Sequence, residues 1–136
     1  MKVSTKGQYS LKIMIYLANR YEKDEFVSLK KISDDEHISL KYLERLIAVL
    51  NKKGYFITSR GTDGGYKLKK HPKYYSIGEI LSVAEGSIAP VSCVEHGFIC
   101  PSKDKCSTYL IWNDLNEAIN NHLNNKTLDD YRKEVK

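Results

Sequence analysis

The stretch "SCVEHGFICPSKDKC", residues 92–106, holds all three cysteines of the 136-residue chain. Cys93, Cys100 and Cys106 are separated by six and five residues, with Gly97 and Pro101 between them, so the stretch reads as an irregular loop. Three thiols, an odd number, make a poor disulfide framework in a reducing compartment, which leaves metal ligation, reactive thiols or plain buried cysteines. The spacing lacks the tight CxxC pairing of most structural zinc sites. A flexible loop can still fold such ligands around a larger cofactor, and thiolates suit iron–sulfur clusters.

The elements around this loop are legible from periodicity. In "QYSLKIMIYLANRYEK", Leu11, Met14, Ile15, Ala18 and Tyr21 fall at helical spacing and predict a core-facing helix. "SLKKISDDEH" predicts a short second helix capped by Ser28, with Leu29 and Ile32 inward. "ISLKYLERLIAVLNKKGY" predicts a third, capped by Ser39, lined by Leu43, Leu46, Ile47 and Leu50, and ended by Gly54 in the left-handed conformation. The tight "EHIS" link between the last two makes a helix-turn-helix pattern. "YFITSRGTDGGYKLKK" then alternates about a turn in which Gly64 and Gly65 permit positive φ, so a β-hairpin follows. A short helix over "SIGEILSVAEG", capped by Ser76, precedes the cysteine loop. After it, "CSTYLIWNDLNEAINNHLNN" carries Ile111, Trp112, Leu115, Ala118, Ile119, His122 and Leu123, a stripe broad enough to need more than one neighbour. That long helix reads as a dimer contact, and "TLDDYRKEVK" as a short helical or frayed tail.

The expected fold is mainly α with a small β-hairpin. Residues 1–75 form a winged helix-turn-helix, 76–105 a short helix and cysteine-containing sensor loop, and 106–136 a dimerisation helix and tail. No apolar run is long enough to span a bilayer, and "LKIMIYLA", interrupted by Lys12, is too short for a signal segment. The chain reads as cytoplasmic, with no membrane partner.

Charge is distributed unevenly. Residues 1–73 carry 16 Lys and Arg against 8 Asp and Glu, a net of +8, whereas residues 74–136 carry 6 against 9, a net of −3. A basic front half suits a polyanion such as double-stranded DNA. On the third helix the step of about 100° per residue turns Lys41, Arg45, Ala48 and Lys52 away from the apolar face, with Tyr42 and Glu44 beside them. Ser39, Lys41, Tyr42, Glu44 and Arg45 then supply a cap, phosphate-seeking cations and base-reading groups for a major groove. A carboxylate facing a polyanion is costly unless it accepts a hydrogen bond, for example from a cytosine amino group, and Glu44 is placed to do so. The plain alternative pairs Glu44 with a lysine at helical spacing. Arg60 and Gly61 open a glycine-rich turn that suits a minor groove, with Lys67, Lys69 and Lys70 near phosphates.

"MKVSTKGQYSLKIMIYLA", "ISLKYLERLIAVLNKKGYFITSRGTDGGYKL" and a three-cysteine loop before "IWNDL" resemble the IscR, NsrR and CymR regulators, the Rrf-two family, over nearly the whole chain. The resemblance implies a homodimer joined through the long C-terminal helix, binding partly palindromic promoter DNA. Ser39, Lys41, Tyr42, Glu44 and Arg60 inherit DNA contacts by matching position. It also implies that Cys93, Cys100 and Cys106 hold an iron–sulfur cluster. The fourth ligand departs from the pattern, because the place of the IscR-type histidine is Tyr109 and that of the NsrR-type acid is Gln8. His96 is nearest in kind, with Glu95, Asp104 or an exogenous ligand also open, so both the 2Fe–2S and 4Fe–4S forms stand.

The expected function is a promoter-binding transcription regulator, a repressor on this reading, controlled by a cluster sensing redox, nitric oxide or iron–sulfur status. The other reading is a cluster-free regulator of cysteine or sulfur metabolism, controlled by thiol chemistry or by a partner protein. No nucleophile–base pair, phosphate-binding glycine loop or paired carboxylates point to an enzyme, and His71 and His122 lack obvious partners.

Overall fold

The computed structural model describes residues 2–133. Six helices and one two-stranded hairpin follow in the order α1 (Thr5–Asn19), α2 (Leu29–Glu36), α3 (Leu40–Asn51), β1 (Phe56–Ser59), β2 (Gly65–Leu68), α4 (Ile77–Glu85), α5 (Tyr109–Asn124) and α6 (Leu128–Tyr131). The expected class, mainly α with a small hairpin in winged-helix order, is the one observed.

Helix α1 begins where the Ser4 hydroxyl accepts from Gly7 N–H, and it buries Gly7, Ser10, Ile13, Met14 and Leu17. Met14 and Ala18 of the expected stripe are buried, while Leu11, Ile15 and Tyr21 are only half-buried. The inward face is rotated because α1 packs chiefly on α4, and small residues, Gly7 and Ser10, admit that neighbour. Helices α2 and α3 match expectation: Ser28 accepts from Lys31 N–H at 3.1 Å, Ser39 from Tyr42 N–H at 3.2 Å, and Ile32, Leu43, Leu46, Ile47 and Leu50 are buried. His37 takes the left-handed conformation in the link, and Gly54 sits at φ +69° beyond α3.

A buried phenol ties α1 to α2. Tyr16 Oη donates to Asp35 Oδ2 at 2.5 Å, and Lys31 Nζ donates to the same oxygen at 3.1 Å. The Tyr16 hydrogen bond, then Lys31, hold the Asp35 carboxyl below its ordinary range, while burial pushes the Tyr16 phenol upward. A depressed carboxylate contributes stability above the unfolded carboxylate pKa, and that contribution is lost as pH falls through the folded value. Asp35→Asn is therefore expected to destabilise the protein at neutral pH, with the gap from wild type closing in acid. Urea midpoints at pH 7 and in the acid range check this, and a gap constant across pH would contradict it.

In the wing, β1 and β2 pair antiparallel with Phe56 opposite Leu68 and Ser59 opposite Gly65. Val27 adds an unexpected third rung: its N–H donates to Tyr66 O at 2.9 Å and its carbonyl accepts from Tyr66 N–H at 2.8 Å. That rung explains Gly65, at φ +153°, where a Cβ would lie 2.1 Å from Val27 O. Gly61 rather than Gly64 takes the other positive φ of the turn.

Helix α4 starts with the Ser76 hydroxyl accepting from Glu79 N–H at 3.1 Å, as expected. Helix α5 buries no residue completely. Trp112, Leu115, Ile119 and Leu123 are half-buried, while Ile111, Ala118 and His122 are exposed, so the broad stripe divides into two faces. The tail is docked rather than frayed as far as Lys133; Glu134, Val135 and Lys136 lie outside the described residues. Leu128 is fully buried, Leu128 N–H donates to Tyr75 O at 3.0 Å, and Ile77 N–H donates to Lys126 O at 2.8 Å. Arg132 then bonds Glu22 at 2.9 Å and Asp129 at 2.7 Å. One apolar cluster runs from Ile13 through α3 and α4 to Leu128, so the boundary drawn at 75/76 lies inside it.

Candidate nucleic-acid interface and cysteine loop

Burial of Leu43, Leu46, Ile47 and Leu50 leaves the opposite side of α3 to solvent, where Lys41, Glu44, Arg45, Ala48 and Lys52 are exposed. Among the described residues no ion pair includes Lys41, Glu44, Arg45 or Lys52. The expected alternative, Glu44 paired with a lysine, is not found. Tyr42 is half-buried, its ring edge-on to Tyr9 of α1 at 5.8 Å and 78°. Sequence reading missed Tyr9 altogether.

Arg60 and Gly61 are exposed at the mouth of the wing turn, and Lys69 and Lys70 are exposed at its base. Lys67 is a correction. Its ammonium pairs with Asp24 Oδ1 at 2.7 Å and lies 4.6 Å above the Phe26 ring, which turns it back toward the α1–α2 connection.

The cysteine loop leaves α4 at Gly86 and reaches α5 at Thr108, with one helical turn at Ser92–Val94. Asn116 Nδ2 donates to Val94 O at 3.2 Å and fastens that turn to the middle of α5. Cys93 and Cys100 are half-buried and Cys106 is exposed. The Thr108 hydroxyl, 3.5 Å from Cys106 Sγ, and the amides of Thr108 and Tyr109 pull the Cys106 thiol below its ordinary pKa. His96 is exposed and shares with Glu95, Ser82, Asn116 and Asn120 the wall of an open cleft of ≈ 430 Å³ between α4 and α5. Among the described residues no three His, Cys, Asp or Glu side chains are gathered closely enough to hold a metal ion. The donor chemistry nevertheless fits a three-thiolate site, since the chain's three thiols share one loop.

No described helix is long and apolar enough to cross a membrane. A family model described as "Rrf2: Iron-dependent Transcriptional regulator" matches residues 3–134. The chain belongs to the Rrf2 family. Relatives of this Rrf2 chain include the HTH-type transcriptional regulator IscR of Klebsiella pneumoniae, 38% identical over 94% of this chain and 77% of that protein. The structure of CymR, the global cysteine regulator of B. subtilis, superposes with a TM-score of 0.77 at 36% identity, covering 96% of this chain and 95% of that one. The oxidized form of Staphylococcus aureus CymR gives a TM-score of 0.75 at 32% identity, covering 100% and 99%. This Rrf2 protein is thus a DNA-binding transcription regulator and not an enzyme, in a family whose regulators act as dimers.

Proposed function

We infer that this chain is a homodimeric, cytoplasmic promoter-binding repressor whose hold on DNA is set by an iron–sulfur cluster on Cys93, Cys100 and Cys106. The observation that carries the reading is the confinement of every thiol to the one loop joining α4 to α5. The family description, iron-dependent, and the IscR relatives support it. In this reading residues 1–75 hold the DNA, 76–105 sense and 106–136 pair the subunits. Ser39, Lys41, Tyr42, Glu44, Arg45 and Lys52 address a major groove, and Arg60 with Gly61 the adjacent minor groove. His96 is the protein ligand nearest in kind for the fourth position. Such a cluster, when bound, supplies an iron centre that responds to oxidants and nitric oxide.

The chain's own residues supply the relay. Asn116 holds the Cys93 turn against α5. At the other end of the loop, Glu85, the last residue of α4, accepts from the Ser4 amide and hydroxyl that cap α1. Movement of the loop is therefore felt at both the pairing helix and the DNA-binding unit. Half-sites one helical turn apart, about 34–36 Å, tolerate little change in the spacing of two α3 helices.

A second reading is favoured by the exposed, acidified Cys106 thiol and by likeness to the S. aureus CymR oxidized form. Here thiol chemistry or a partner protein controls a regulator of sulfur metabolism. Purification without oxygen separates the two. The cluster reading expects a coloured protein containing iron and sulfide, and a Cys93→Ala/Cys100→Ala/Cys106→Ala variant that loses both and shifts promoter affinity tenfold or more, about 1.4 kcal/mol. Colourless protein whose affinity still changes with thiol oxidation supports the second reading. Unchanged affinity of the triple variant in every redox state removes the cluster and the thiol chemistry alike and leaves control by a partner protein.

A further inference from the structure

Residues 1–21 contain Lys2, Lys6, Lys12 and Arg20 and no acidic residue. Arg20 is engaged: it lies 3.6 Å from the Tyr16 ring centroid, donates to Tyr16 O at 3.1 Å and approaches Asp35 at 3.9 Å. Lys6 and Lys12 are exposed, and among the described residues neither enters an ion pair. Other lysines of the same half do find acids: Lys30 pairs with Asp34, Lys31 with Asp35 and Lys67 with Asp24. The Glu85 carboxylate beside Lys6 is occupied by Ser4.

At the helical step, Thr5, Lys6, Tyr9 and Lys12 share a sector of about 120° on α1. This sector borders α3 directly. Tyr9 meets Tyr42 edge to face at 5.8 Å, Lys12 Nζ stands 5.5 Å from the Tyr9 ring centroid, and Lys6 lines a shallow groove with Leu46 and Val49 of α3. We propose that this edge of α1 is a second DNA contact, in which Lys6 and Lys12 bind backbone phosphates beside the groove that α3 enters, and Tyr9 is a positioning residue for Tyr42 and Lys12. The proposal rests on the reading of α3 as the recognition helix.

The chemistry is that of a phosphate clamp. Fields of exposed charges fade beyond about 8–10 Å at physiological salt, so only cations at the contact itself displace counterions. Each lysine–phosphate contact steepens the fall of log affinity with log salt by about 0.9. An aromatic ring under a lysine and against a tyrosine limits the freedom of both before DNA arrives.

The test uses the full chain and a duplex enriched from a random pool by the wild-type protein, with binding measured across a sodium chloride series. Lys6→Gln/Lys12→Gln should weaken binding at least tenfold and lower the salt slope by about 3–4 for a dimer, four contacts at about 0.9 each. The charge-matched control Lys126→Gln/Lys133→Gln, on either side of α6, should leave the slope in place, and thermal melts verify folding of every variant. Tyr9→Ala should weaken binding severalfold, and Tyr9→Phe, which keeps the ring, should restore it. A wild-type slope in the Lys6/Lys12 variant, with Arg60→Ala still weakening binding, overturns this proposal and leaves the α3 reading intact. Equal binding by Tyr9→Ala and wild type overturns the positioning role. A wild-type protein whose binding ignores salt overturns the α3 reading together with this one.

Discussion

Leu128→Ala is expected to lower the free energy of unfolding by about 3 kcal/mol, within the range of about 2–5 kcal/mol for fully buried leucines. Leu128 has no exposed surface, although it stands in the polar stretch "TLDDYRKEVK". Its backbone is fixed before its side chain is considered: its N–H donates to Tyr75 O, and Thr127 and Asp130 form a reciprocal cap at the start of α6. The segment therefore cannot collapse freely onto the void that the substitution leaves. Leu128→Met, which nearly conserves volume, should cost less than about 1.5 kcal/mol. Urea unfolding followed by circular dichroism, at matched protomer concentration because pairing is linked to stability, measures both. A Leu128→Ala midpoint equal to that of wild type would show that the tail does not belong to the cooperative unit.

The second large effect concerns sequence preference. Glu44→Ala is expected to flatten discrimination at one base pair of each half-site by about 1–3 kcal/mol, the worth of a good side-chain–base pairing. Overall affinity for unrelated duplexes should hold or rise, because a carboxylate near phosphates is removed. Lys41→Ala should act in the opposite manner, weakening every duplex alike and reducing the salt slope by about one per contact. The basis is the position of Glu44 on the solvent side of α3 without an ion-pair partner among the described residues. Competition binding against a panel of single-base substitutions reads the difference. Uniform loss across the panel for Glu44→Ala would end the base-reading role.

The sequence made α2, α3 and α4 legible because each carries a periodic apolar face between a serine cap and a turn, and the wing legible because alternating residues flank a glycine-rich turn. Where the apolar signal is a single residue, pattern reading had nothing to count. Val27, after the half-buried Phe26, and Leu128, between Thr127 and Asp129, are isolated buried side chains outside any periodic face, and each closes a short backbone pairing that only the fold brings together. The face of α1 was misplaced for a related reason: Gly7 and Ser10 are buried by close approach rather than by hydrophobicity. At the candidate site, residue types and order were readable, whereas contacts between elements were not. Tyr9 and Tyr42 touch across 33 positions of sequence, and Lys67 turns toward Asp24, 43 positions away. The thiol loop was legible as a set of donors but not as a geometry, since its backbone hydrogen bonds close only local turns, three or four residues apart, that residue types alone do not place.

The strand-like pairing of residues 75–77 with 126–128 closes the core independently of the cysteine loop. The loop and α5 form a detour that departs from a closed globule and is stitched back to it, with both attachment points inside the same apolar interior. Whatever happens along the detour, the globule keeps its two seams. On the cluster reading proposed above, loss of a ligand there would alter the outline of the molecule while the seams at residues 75–77 and 126–128 keep the globule closed.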